Sequence, residues 1–77
     1  MLRKPIQNME DLANVVKLAR KKQGLSQIEL AGISGLGRRF ISELERGKPS
    51  AQIAKVILVL NVLGVGLETI QAWDVKE

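Results

Sequence analysis

The chain has 77 residues, with 12 Lys and Arg against 8 Asp and Glu, and a formal net charge of +4. One domain fits this length, and a 45% hydrophobic composition excludes a chain that is disordered by composition. The absence of Cys and His excludes a disulfide framework and a zinc–thiolate site, and removes the commonest general base, so no metal, no cofactor and no catalysis are expected.

Residues 1–7 read as an N-terminal arm, because Pro5 breaks an early helix. Asn8 suits a helix N-cap, with Glu10 and Asp11 in the first turn where the helix dipole favours acids. Leu12, Val15, Val16 and Ala19 then share a face, and Gly24 ends the helix. Lys17, Lys21 and Lys22 crowd its second half, either as a solvated face or as phosphate contacts. Ser26 and Glu29 form a capping-box pattern at the start of a short helix over 27–33. Gly35 and Gly37 bracket Leu36 in a tight turn, and a third helix is expected over 38–46, stopped by Gly47. Its inward face is Phe40, Ile41 and Leu44, and its outward face is Arg38, Arg39, Ser42, Glu43 and Arg46.

Ser50 reads as the N-cap of a fourth helix over 51–63, with Gly64 as its stop. Ile53, Val56, Ile57 and Leu60 make one stripe, while Leu58, Val59 and Val62 lie off it. A helix apolar nearly all round must be covered nearly all round. Residues 65–73 alternate as a strand would, and a strand needs a partner strand. The chain offers no second strand, so the expected partner is the same segment of another copy. Leu58, Val62, Leu67, Ile70 and Trp73 are the expected dimer contacts, the alternative for the tail being packing within its own chain. The expected organisation is an arm (1–7), a helical domain (8–64) and a dimerisation strand with tail (65–77). No apolar run follows the opening residues, and the greasy stretch over 56–67, broken by Asn61, Gly64 and Gly66, falls short of the ~20 residues of a membrane span, so a cytoplasmic protein without membrane association is expected.

The spacing Ala31-x3-Gly35-x5-Ile41 meets the demands of a helix-turn-helix. A small residue stands where two helices cross, a glycine stands at the turn, and an apolar anchor follows in the second helix. The run Gly24-Leu25-Ser26-Gln27-x-Glu29-Leu30-Ala31, then Gly35, then Phe40-Ile41-Ser42-x-Leu44-Glu45-Arg46-Gly47-Lys48, resembles the Xre-type helix-turn-helix family of phage repressors and Cro-like proteins. Within it, the segment after the last helix is similar to that of HipB-like antitoxins. The resemblance spans roughly residues 9–64 and implies an all-α fold, a compact bundle of about five helices, with a short C-terminal strand paired across a dimer.

It also implies roles. Arg38, Arg39 and Ser42 would read bases, since arginine is the usual bidentate reader of guanine. Gln27, Gly37, Arg46 and Lys48 would contact phosphates, although Arg46 and Lys48 would equally complement a helix C-terminus. Arg20 and Glu45 would form an architectural ion pair. Three residues depart from the family's habits. Gly37 stands where many relatives have a polar N-cap or DNA-contacting side chain, and either lets its backbone N–H approach a phosphate or only caps the helix. Gly32 inside a helix costs about 1 kcal/mol relative to alanine. Glu43 on the outward face would repel phosphates unless it accepts from cytosine N4. The implied protein is a homodimeric repressor of an inverted-repeat operator in double-stranded DNA, acting as the antitoxin that autorepresses its operon and binds a HipA-like kinase toxin. A phage repressor, a restriction-modification controller, and a protein-interaction module with incidental DNA affinity are the alternatives.

Overall fold

The structure is a computed structural model that describes residues 5–71 and Trp73. Four helices follow one another: α1 (Met9–Lys22), α2 (Gln27–Ser34), α3 (Arg38–Glu45) and α4 (Ile53–Val62). The class is all-α, as expected. Four helices stand in place of about five, and the described residues contain no strand. Gly64, at φ +75°, turns the chain out of α4, and residues 65–71 continue irregularly. A strand is defined by its ladder, and one copy of this chain supplies none.

The helix starts follow from local chemistry. The Asn8 side chain accepts from the Asp11 N–H at 2.9 Å, and acids and bases sit at the dipole ends of α1 that favour each. Ser26 and Glu29 close their reciprocal box, with Glu29 N–H on Ser26 Oγ at 3.0 Å and Ser26 N–H on Glu29 Oε1 at 2.9 Å. Gly35 ends α2 in the left-handed conformation at φ +72°, which frees the chain to turn sharply into α3. The end of α3 is one residue earlier than expected, with Arg46 as its C-cap. Ser50 does not cap α4. The helix begins at Ile53 after Gln52, because Lys48 to Ala51 close a turn first, through Ala51 N–H on the Lys48 carbonyl.

The core is aliphatic and continuous: Leu12 and Val16 from α1, Leu30 and Ala31 from α2, Ile41 and Leu44 from α3, and Val56, Val59, Leu60 and Leu63 from or just past α4. The buried stripe of α4 is Val56, Val59, Leu60 and Leu63, which only partly coincides with the stripe that spacing marks. Ile53 and Ile57 are exposed, whereas Val59 and Leu63 are buried. Periodicity could not select the stripe, because nearly every face of this helix is apolar. The side turned from the core carries Ile53, Ala54, Ile57, Leu58 and Asn61, with half-buried Val62 at its edge. At the far end of α4 the Gln23 side-chain amide donates to the Leu63 carbonyl at 2.7 Å, tying the α1–α2 connection to the last turn. Among the described residues no helix is long and apolar enough to cross a membrane.

Candidate nucleic-acid interface

α2, the turn at Gly35 and α3 form the helix-turn-helix. Ile41 and Leu44 are fully buried and Phe40 half-buried, so three apolar anchors fix the roll of α3 about its axis. That roll decides what faces outward. Arg38, Ser42 and Arg46 follow at i, i+4 and i+8, with Arg39 and Glu43 beside them. Arg38, Arg39 and Arg46 are exposed, while Ser42 and Glu43 are partly shielded.

The cations on this surface are not equivalent. Arg38 has no hydrogen bond or ion pair from its side chain among the described residues, and the same is true of Arg46. Arg39, 90% exposed at the side chain, donates from Nε to Glu43 Oε1 at 3.2 Å. Lys48, beyond the turn, pairs with the other oxygen of Glu43. The hydrogen bond from Lys48 outweighs the opposing effect of burial and, with the charges of Lys48 and Arg39 adding to it, holds the Glu43 carboxyl below the usual carboxylate range. Glu43 therefore stands on the outward face already compensated, which the sequence reading missed. The i, i+4 spacing of Arg39 and Glu43 was visible in the sequence, but the reach of Lys48 across the turn was not. Lys55 of α4 also lies close by, with its ammonium 5.8 Å from the centre of the Phe40 ring.

Gly37 is the N-cap of α3 at φ −73°, an ordinary extended conformation, and a Cβ there would meet nothing within 4 Å. Its lack of a side chain leaves the Arg38 and Arg39 N–H groups without a side-chain cap, while the Phe40 N–H donates to the Gly37 carbonyl at 3.0 Å. The Gln27 side chain at the start of α2 donates to Glu45 Oε1 at 3.2 Å. Glu45 in turn receives both prongs of Arg20, from Nε at 2.6 Å and Nη2 at 2.9 Å, while Arg20 Nη1 donates to the Leu25 carbonyl at 2.7 Å. This pair is buried, with side chains 11% and 2% exposed. Burial pushes the Glu45 carboxyl up, but the hydrogen bonds from Arg20 and Gln27 outweigh it and hold the group below its usual range. The Glu45 hydrogen bond raises Arg20 above its ordinary value. The network bolts α1, the head of α2 and the tail of α3 together directly behind the basic face. No group of three or more potential metal ligands occurs among the described residues.

A helix-turn-helix family profile matches residues 16–70, most of the chain and all of the motif described above. The chain belongs to the Xre-type helix-turn-helix family. As a member of that family it is a DNA-binding transcriptional regulator. It is 49% identical over 65 residues, 84% of this chain and 86% of the relative, to the uncharacterized HTH-type transcriptional regulator y4mF of Sinorhizobium fredii. Among solved structures, the chain from a HipB–O4 20mer complex superposes with a TM-score of 0.83 at 27% identity, covering 92% of this chain and 100% of that one. A chain of a HipA–HipB–O2–O3 complex gives the same TM-score at 25% identity over the same shares. A mutant of the restriction-modification controller protein C.Esp1396I gives 0.68 at 32% identity over 74% of each chain.

Of the expected dimer contacts, Leu58, Leu67, Ile70 and Trp73 are exposed, and Val62 is half-buried against the core. Ile53 and Ile57 join the exposed set. Four of these residues lie on α4 and three follow it.

Proposed function

We propose that this protein is a homodimeric repressor that reads an inverted-repeat operator, and that it serves as the antitoxin of a HipBA-like pair, repressing its own operon and binding a kinase toxin. The observation that carries the reading is the outward face of α3. Arg38, Arg39, Ser42 and Arg46 stand together on a helix whose roll is locked by Ile41, Leu44 and the Arg20–Glu45 pair. In this reading Arg38 and Arg39 contact guanine edges, Ser42 a base one turn further on, and Gln27, Arg46, Lys48 and the backbone at Gly37 the flanking phosphates. Gln27 Nε2 gives one hydrogen to Glu45 and keeps a second for a phosphate. Two copies joined through α4 and the tail would present two such helices about one turn of duplex, ~34 Å, apart.

The antitoxin role draws on likeness over the whole of the HipB chain and on the presence of HipA beside HipB in one of those structures. The controller likeness covers three quarters of each chain, and a restriction-modification controller is the second reading. An electrophoretic shift with the promoter of its own gene tests DNA binding. Arg38→Ala and Arg39→Ala should abolish the specific shift while leaving the helical spectrum intact; retention of specific binding by both would overturn the assignment of α3. Co-purification with the product of an adjacent kinase-like gene tests the antitoxin role, and a DNA-methyltransferase gene in its place would favour the controller reading.

A further inference from the structure

We propose that Glu43 is a specificity-determining residue, one that withholds Arg39 and Lys48 from arbitrary phosphates while leaving the outer nitrogens of Arg39 open to a matching base. The inference rests on the DNA-binding reading of α3. Glu43 is the one acid on the outward face of that helix, since Glu45 is buried behind it. Its two oxygens engage two different cations, Arg39 from one turn earlier and Lys48 from beyond the C-cap. Of the four cations at this surface, Arg38 and Arg46 are open and Arg39 and Lys48 are held.

Folding gives little reason for this arrangement. An exposed i, i+4 pair contributes little, and the order here, base before acid, is the weaker one. An acid facing a polyanion is, by contrast, a direct cost to every encounter with DNA. On an arbitrary duplex Arg39 and Lys48 would leave one anion for another, a near-even exchange, and Glu43 would remain facing phosphates unpaired. On a matched site Arg39 can turn its two Nη groups to one base while its Nε stays on Glu43, so the pair that is broken to reach an arbitrary phosphate is kept there. The acid thus penalises the wrong sequences more than the right one, and specificity is that difference.

The test compares the intact protein with Glu43→Gln, which keeps the shape and removes the charge. Binding is titrated by fluorescence anisotropy from 50 to 300 mM salt on two duplexes: a scrambled 20-base-pair sequence, and the tightest sequence selected from a random pool. Freeing one cation for a phosphate predicts about five- to tenfold tighter binding to the scrambled duplex at 0.1 M salt, and a slope of log K against log salt steeper by about one. The selected duplex should gain less, so the ratio between the two should fall several-fold. Arg39→Ala in the Glu43→Gln background should remove part of the gain. Unchanged affinity for the scrambled duplex would overturn the proposal, as would an equal gain on both duplexes. A loss confined to the selected duplex would also overturn it, and would make Glu43 a base reader. Absence of any binding by the wild-type protein would instead defeat the DNA-binding reading itself. A matched thermal unfolding curve for the variant shows that charge, not folding, is being read.

Discussion

α3 and α4 are neighbours in sequence and bury stripes of the same aliphatic kind, yet their outward faces are opposites. α3 turns three arginines, a serine and a glutamate away from the core, and α4 turns isoleucine, leucine and alanine around Asn61, with Lys55 at the edge nearer α3. The buried halves explain why both are helices; the exposed halves show what each is for. A polar face on α3 would suffice for solubility, and a polar face on α4 would make a better monomer. The chain instead offers one surface that suits a polyanion and another that suits something apolar. An outward Asn in the middle of an apolar face resembles the polar residue that fixes register where two helices pair, at some cost in stability.

Breaking the core behind α3 should have the largest effect. Glu45→Ala leaves the Arg20 charge buried without its partner and should cost about 3–5 kcal/mol of folding stability, measured by urea denaturation. The same pair sets an acid limit. The folded-state carboxyl of Glu45 lies below its unfolded value, so its contribution is fully present above the ordinary carboxylate range and disappears as pH falls through the depressed folded value. The wild-type urea midpoint should therefore drop on acidification below about pH 4.5, and the Glu45→Gln variant should show a smaller drop.

The outward faces should behave differently from that core and from each other. Arg38→Ala should leave the urea midpoint within about 0.5 kcal/mol of wild type, yet weaken specific DNA binding by about 1–3 kcal/mol. Ile57→Asp combined with Leu58→Asp should leave a folded chain and convert a dimer to a monomer in sedimentation at micromolar concentration. A wild-type protein that sediments as a monomer under those conditions would remove the α4 half of the comparison. The smallest expected effect lies on α2. A Cβ at Gly32 would meet nothing within 4 Å, so Gly32→Ala should stabilise the chain by about 0.4–1 kcal/mol, read as a rise in melting temperature.

The parts legible in the sequence were those written in local chemistry. Asn8, the Ser26–Glu29 box and the glycines at 24, 35 and 47 mark helix ends through interactions spanning a few residues, and the structure has them there. The outward set on α3 was also legible, because a polar stripe beside Phe40, Ile41 and Leu44 leaves one choice of roll. α4 was not, since an all-round apolar helix carries no phase and only its neighbours decide which side is buried. The start of α4 was misjudged because Ser50 is a good cap in isolation, while the turn from Lys48 to Ala51 uses that stretch first. The Glu43–Lys48 pair escaped notice because it crosses a helix end, where spacing rules for side-chain neighbours lapse. The tail's expected strand depends on a second chain, so no property of one copy could display it.

The hydrogen bond from Gln23 to the Leu63 carbonyl has a geometric corollary. It joins the connection that leads into the helix-turn-helix to the end of the apolar helix, so the angle between the two outward faces is a fixed property of each copy. In the proposed dimer, both the separation and the angular phase of the reading helices are then built into the protein. An added base pair between half-sites would rotate one about 34° out of phase, and the compensating twist would have to come from the duplex. The spacer, which no side chain touches, would be selected as strictly as the bases that are read.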